Sequence, residues 1–394
     1  MNREDFNINS IYFDNAATTL KPRCVVDSIN KYYLEHTSNI HRGDYDSATI
    51  TNKLYDSVRD DVARFVNCSS SNVVFTSGTT FSINQIVSGY MYNHLNSGDE
   101  VILTTSEHAS NILPWYRLKR DKGINIKFAL LDDDYSLSVD SILNSITPNT
   151  RVISIAHVTN VIGDVRDIEK IGEICDEKNI IFCVDGAQSV PHMRVDFKKC
   201  NISFLSFSAH KMCGPTGVGV LVGKDELLKE MEPIVLGGGS NQDFSIDGTY
   251  TLYAAPTKFE AGTPPIAQVI GMGEAIRYLE NIGIDKIHQY EVMLRNRLVD
   301  GLSKIDNIDI LNKNSKSGIV SFNVNGVFPQ EVSVYLNKKG ISVRSGNHCC
   351  KILHNDINYK NSVRISLYFY NTIDEVDEVI GILSLKEDIL STII

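Results

Sequence analysis

The chain has 394 residues, long enough at about 150 residues per domain for about two to three domains around a large apolar core. Apolar residues make up 42% and charged residues 22%, the composition of an ordinary globular protein and not of a disordered or fibrous one. Acidic side chains outnumber basic ones 48 to 38, a formal net charge of −10 with no long basic block, so neither nucleic acid nor an anionic membrane is an expected partner.

The opening residues Met1 to Phe6 contain no apolar stretch, so no secretory signal is expected. No run of about 18 apolar residues suggests a membrane span. The eight cysteines form no CxxC pair, and no metal site is expected from their spacing. Scattered thiols of this kind fit a reducing, cytoplasmic setting.

Short apolar runs then alternate with helix-like stretches. Val73–Thr76 reads as a strand and turns at Ser77-Gly78-Thr79-Thr80 into a helix pattern through Ile83, Ile86 and Val87. Glu100–Thr104 is the next strand, followed after a short loop by His108. Further strands are expected over 124–130, 151–155, 180–184, 204–207 and 217–222, with a helix over 167–178. This rhythm predicts a largely parallel sheet covered by helices, with ligand-binding residues just beyond the strand ends. Gly237 to Gly248 reads as an irregular connection, and 260–265 as a rigid turn before a helix over 266–279. Beyond it, helices over 287–302 and 330–338 and strands near 318–324, 341–343 and 363–366 suggest a smaller α+β domain. The expected division is an N-terminal segment 1–20 packing with the small domain, a large domain 21–265 and a small domain 266–394.

The strongest local signal is the stretch 207–217, where Lys211 sits among small, aromatic and glycyl residues. A lysine is ordinarily a solvated surface residue. In a semi-buried polar pocket it becomes an amine nucleophile able to bond an aldehyde cofactor such as pyridoxal phosphate. That cofactor makes three further demands. Asp185, at a strand end, offers a carboxylate for the ring nitrogen. The 77–80 turn, with Gly78 allowing the bend and Thr79 adding a hydroxyl, offers a phosphate cradle that Ser208 and His210 extend. His108 offers a flat imidazole to cover the ring. Each has a plainer reading as a turn aspartate, a helix cap or a satisfied polar histidine. The case rests on all of them falling in one βα series.

Taken together, these residues resemble the fold-type I pyridoxal-phosphate enzymes of the aminotransferase class V family, and within it the group II, SufS/CsdA-type cysteine desulfurases. The resemblance runs from 12–17 to Arg364. It is carried by 39–43, 75–80, Glu107-His108 with Pro114-Trp115, 185–188, 208–211, 259–264 and 344–349. It implies a large domain with a mostly parallel seven-stranded sheet and a smaller C-terminal domain bearing the nucleophile loop. Lys211 would bond the cofactor covalently, Asp185 would hold its ring nitrogen, and His108 would stack on the ring. Thr79, Ser208 and His210 would hold the phosphate, Gln188 the phenolic oxygen, and Thr263 a partner subunit's phosphate across a homodimer. Asn160 and Arg364, with Arg344 nearby, would bind the substrate carboxylate, and Cys349 would take sulfur from L-cysteine and pass it to a small Suf-type acceptor.

Two of these assignments have independent support. Arg suits a carboxylate better than Lys, although an arginine in the alternating run 363–367 also reads as an outward surface residue. Cys349 lies in a loop of small and polar residues beside His348, the setting of an accessible, partly ionised thiol. The chain departs from the family pattern at Asn347, Ser345, Ala109-Ser110 and Cys350. Cys350 reads either as a second thiol or as a packing residue on the opposite face of the turn. Rival functions are a selenocysteine lyase, another C–S lyase or epimerase of this fold, or a non-catalytic sulfur-relay or scaffold-binding protein.

Overall fold

The computed structural model describes residues 3–41, 43–385 and 389; Arg42 of the 39–43 motif and the outermost residues of both expected terminal segments lie outside them. Seven strands form the main sheet, in the spatial order Val73–Thr76, Gly219–Gly223, Phe204–Ser208, Ile181–Asp185, Thr150–Ala156, Glu100–Thr104, Asn125–Ala129. The five consecutive strands from Phe204–Ser208 to Asn125–Ala129 run parallel, and Gly219–Gly223 runs antiparallel to both of its neighbours. The strands Phe204–Ser208 and Gly219–Gly223 are buried along their whole length, as expected for central strands covered on both faces. In register, Asp185 stands opposite Ser206, which sets the Asp185 carboxylate and the segment that leads to Lys211 at the same edge of the sheet.

The helix after the first of these strands, Thr79–Gln85, continues as one π-helical turn over Ile86–Met91. Gly89 in that turn lies against the carbonyl of Glu232, where a Cβ would come within 2.2 Å of the oxygen. A second, antiparallel sheet joins Ile308–Ile310, Ile319–Val324, Ser362–Ser366 and Arg344–Gly346. The N-terminal strand Ile11–Tyr12 pairs with Ile341–Ser342, and Phe13 is buried in the core of this smaller unit.

The stretch expected to be irregular is instead a hairpin. Asn241–Phe244 pairs with Tyr250–Leu252, with a register shift at Thr251/Leu252. Its polar composition hides it, because almost all of its side chains face solvent and no apolar alternation is needed. The helix Ile266–Ile282 packs on Arg23–Glu35 and Asp46–Phe65, and ten of its residues are buried, mostly in the larger core. Each buried Leu, Ile or Met there contributes about 1.5–3 kcal/mol of transfer free energy. The two apolar cores part along the next helix, Ile284–Leu302: Ile284 and Ile287 join the larger, while Leu294, Leu298 and Leu302 join the smaller.

Candidate active site

A cavity of about 600 Å³ opens where the strand ends of the main sheet meet the smaller sheet. Lys211, Asp185, His108, Thr79, Ser208, His210, Gln188, Asn160, Arg344, Arg364 and Cys349 all line it. Gly78 shapes the turn beside it without lining it. Thr263 sits on an exposed loop elsewhere, its hydroxyl 3.4 Å from Asn39 Nδ2.

Lys211 ends a short 3₁₀ turn, Ala209–Lys211, that follows the strand Phe204–Ser208 directly. Burial pushes its ammonium down to about 8; Asp185 pulls it up, and the Arg364 guanidinium adds to the drop. Near neutral pH a useful fraction is therefore free amine. Asp185 is held by a 2.9 Å hydrogen bond from the Ala187 N–H to Oδ1. Burial pushes its carboxyl up to about 6, opposed by that hydrogen bond and by Lys211. It is still ionised at pH 7, so it can keep a proton on a ring nitrogen placed against it.

At the other end of the cavity, Gly78 adopts φ +144°, a conformation that lets the chain turn from strand to helix. A Cβ there would approach Ser208 Oγ to 3.2 Å. The turn brings the Thr79 N–H within 2.8 Å of Ser208 Oγ, and the Thr79 and Ser208 hydroxyls within 2.7 Å of each other. Two hydroxyls and the first N–H groups of a helix form an anion cradle. Burial, Lys211 and Lys21 push the His210 imidazole down to about 4, so it is neutral.

His108 caps the turn Ala109–Asn111. Its Nδ1 accepts the Ser110 N–H at 3.1 Å, which leaves the proton of the neutral ring on Nε2. Burial, then Lys211 and Arg364, push its pKa down to about 4. The loop is anchored by a buried ion pair that the sequence did not reveal. Arg166 Nη1 bonds Glu107 Oε1, with both side chains fully buried. Glu107 also accepts from Thr104 Oγ1, Asn111 Nδ2 and the Ala156 N–H, while Arg166 Nη2 reaches Thr104 and Ser106. Every lone pair is used, which such a buried pair requires.

Arg364, in the strand Ser362–Ser366, is 2% exposed and turns into the cavity, not outward. Its Nη1 donates to the Asn160 carbonyl oxygen at 2.9 Å and its Nη2 to Asp14 Oδ1 at 3.1 Å; its buried Nε has no partner. Asp14 Oδ2 lies 3.6 Å from Arg344 Nη1, so one carboxylate serves both arginines. The Asn160 side chain is committed to the chain itself: Nδ2 donates to the His348 carbonyl oxygen at 2.8 Å and Oδ1 accepts from Cys350 Sγ at 2.9 Å.

Cys349 is exposed on the rim, with φ +61° after His348 at φ +50°. Two consecutive non-glycine residues in the left-handed region cost of order 1–3 kcal/mol each and persist only where the surroundings enforce them. Cys350 is buried among Val161, Ile162, Leu311 and Leu353, and burial pushes its thiol far up. Cys350 is thus buried where Cys349 is exposed, on the core side of the turn.

The donor set fits pyridoxal phosphate. It has an amine, a carboxylate, an imidazole and an anion cradle, together with Gln188, whose Oε1 is buried without a partner although Nε2 bonds the Ala16 carbonyl oxygen at 2.8 Å. Sequence reasoning missed Gln330 and Asn361 in the cavity wall and Asp14 behind Arg364. Only Asp14 carried a signal, inside the 12–17 motif.

A profile of the aminotransferase class-V family matches residues 11–379. A probable cysteine desulfurase of Staphylococcus aureus (strain Mu50) is 40% identical over 383 residues, 96% of this chain and 92% of that protein. Another, from Ureaplasma parvum serovar 3, is 41% identical over 379 residues, 95% and 93% of the two chains. Among solved structures, the apo cysteine desulfurase of Thermococcus onnurineus NA1 superposes with a TM-score of 0.94 at 36% identity, over 97% of this chain and 96% of that one. The cysteine desulfurase CsdA of Escherichia coli, in its S-sulfonic acid form, gives 0.92 at 31% identity over 100% and 98%. The seven-stranded sheet, with its amine and carboxylate at adjacent strand ends, is thus that of a fold-type I enzyme, and the chain belongs to the aminotransferase class V family.

Proposed function

We propose that the protein is a pyridoxal-phosphate-dependent cysteine desulfurase, which converts L-cysteine and the Cys349 thiol to L-alanine and a Cys349 persulfide. The observation that carries this reading is an exposed cysteine on the rim of a cavity lined by Lys211, Asp185, His108 and Arg364.

Lys211, Thr79, Ser208 and His210 would hold the cofactor, which when bound would supply an electron sink for the pair released at the substrate Cα. Arg364 grips the substrate carboxylate with its unpartnered Nε and its remaining Nη hydrogens. Lys211, freed as an amine, takes the Cα proton, and its lowered pKa suits it to do so near neutral pH. Asp185 would hold the proton of the cofactor's ring nitrogen, and His108, with its own proton on Nε2, would stand against the ring. The Cys349 thiolate then attacks the substrate sulfur. A Cys349 S–S bond forms, the substrate Cβ–S bond breaks with its electron pair left on carbon, and protonation of that carbon completes alanine.

The exposed Thr263 loop and the apolar side chains Phe244, Ile246 and Tyr250 on the hairpin favour a homodimer in which this face meets a second copy. Exposure of Cys349 favours transfer to a small Suf-type protein acceptor. Free cysteines throughout favour a cytoplasmic setting, and among the described residues no helix is long and apolar enough to cross a membrane.

The test is incubation of the purified holoenzyme with L-cysteine. Equimolar alanine and a persulfide on the peptide containing Cys349 are expected. Absence of alanine, or a persulfide confined to another cysteine, overturns the reading. A parallel incubation with L-selenocysteine separates sulfur from selenium chemistry.

A further inference from the structure

Backbone ties hold the loop that carries Cys349. The Cys349 carbonyl oxygen accepts the Ala109 N–H at 2.9 Å, and the Cys349 N–H donates to Asn347 Oδ1 at 3.1 Å. The Cys350 N–H donates to the Asn347 carbonyl oxygen at 2.7 Å, and the His348 carbonyl oxygen accepts from Asn160 Nδ2 at 2.8 Å. The last is made by a side chain from a distant part of the chain, and it acts on the first of the two left-handed residues.

An amide can present either end to a carbonyl oxygen, and only the NH₂ end bonds it. The group facing the other end of Asn160 reinforces that orientation. That group is the Cys350 thiol, with Sγ 2.9 Å from Asn160 Oδ1. The thiol is buried and packed against apolar neighbours, burial favours its protonated form, and Oδ1 is its near acceptor, with the Ser106 carbonyl oxygen farther off at 4.0 Å. Asn160 also gives its backbone carbonyl to Arg364 Nη1 at 2.9 Å, so the same residue touches the nucleophile loop and the arginine that grips the substrate.

We propose that Cys350 is a positioning residue for the reaction: its thiol orients the Asn160 amide, and Asn160 in turn fixes the His348–Cys349 turn so that the nucleophile is held at a constant place relative to Arg364. The inference deepens the desulfurase reading and rests on it. Cys350 carries no sulfur in this scheme. It contributes a donor from within the core, and a hydroxyl in its place serves as well.

Three variants of the holoenzyme test the proposal: C350S keeps a donor, C350A loses it and leaves a small void, and C350V loses it while filling the apolar space. Loss of one neutral hydrogen bond predicts a fall of about three- to tenfold in kcat for C350A and C350V, with KM for L-cysteine within about twofold. C350S retains kcat within about twofold, which a thiol relay does not allow. A second readout does not depend on turnover. Alkylation of Cys349 by iodoacetamide, followed by peptide mass, is expected to quicken by about threefold or more in C350A and C350V, and to stay as wild type in C350S. Wild-type kcat and alkylation in C350V overturn the proposal, as does a C350S enzyme as impaired as C350A. If no variant and no wild-type protein makes alanine, the desulfurase reading fails instead, and the alkylation rates still report on the tie.

Discussion

Asp14 Oδ1 accepts a hydrogen bond from Arg364 Nη2 at 3.1 Å, across 350 residues of sequence. The Arg364 side chain also donates to the Asn160 carbonyl oxygen, and burial pulls its pKa down while Asp14 pulls it back up. Replacing Asp14 with Asn removes the counter-charge of a buried guanidinium. Because the Asp14 side chain is partly exposed, the loss is put at about 1–3 kcal/mol, below the value for a fully buried pair. Chemical denaturation of the cofactor-free protein measures it, and an unchanged midpoint would falsify the role.

The Cys349→Ala variant removes the sulfur acceptor and nothing from the cofactor's surroundings. Alanine formation from L-cysteine is expected to fall by roughly a hundredfold or more, while the absorbance of the bound cofactor near about 420 nm persists. Sulfide release at the wild-type rate would end the assignment of Cys349.

Asp185 gives a pH signature in the cofactor-free protein. Its carboxyl is raised from 3.8 to about 6 in the folded state, chiefly by burial. The folded protein therefore binds the proton more tightly than the unfolded chain, and the group's contribution is full below 3.8 and is lost as pH rises through 6. Asp185→Asn escapes this loss. At pH 7 the variant is expected to be more stable than wild type by up to about 3 kcal/mol, an advantage that vanishes by about pH 4. It should also bind the cofactor more weakly. Urea midpoints at pH 4 and 7 decide the matter, and a variant less stable at pH 7 would contradict it.

The Glu107–Arg166 pair has the opposite character, since every partner is satisfied. Arg166→Met strands a buried carboxylate and is expected to cost about 3–5 kcal/mol. The His108 loop should loosen with it, so the cofactor's affinity should drop as well. Calorimetry together with cofactor titration follows both effects; a melting point within error of wild type is the result that contradicts this account.

The main sheet was legible because its central strands are continuous apolar runs, and the site was legible because its polar residues follow directly on those runs. Lys211, Asp185 and His108 each come within a few residues of a strand end. The hairpin over 241–252 was not legible, since its exposed strands lack apolar alternation. The inward turn of Arg364 was ambiguous because an alternating strand offers two faces to a charge. Glu107 and Arg166 are 59 residues apart, and nothing in a linear pattern pairs them. The role of Asn160 as a bridge to the nucleophile loop depended likewise on contacts separated by 188 and 190 residues.

The cavity wall is drawn from two sheets. Lys211, Asp185 and His108 follow strands of the seven-stranded sheet, while Arg344 and Arg364 lie in the four-stranded one and Cys349 on the loop beside it. Carbon-acid chemistry and the fate of the departing atom are therefore built on separate frameworks. Exchange of the 344–350 segment could redirect the product without rebuilding the machinery that activates the amino acid. The hinge line between the frameworks is where a scaffold of this kind has room to diversify.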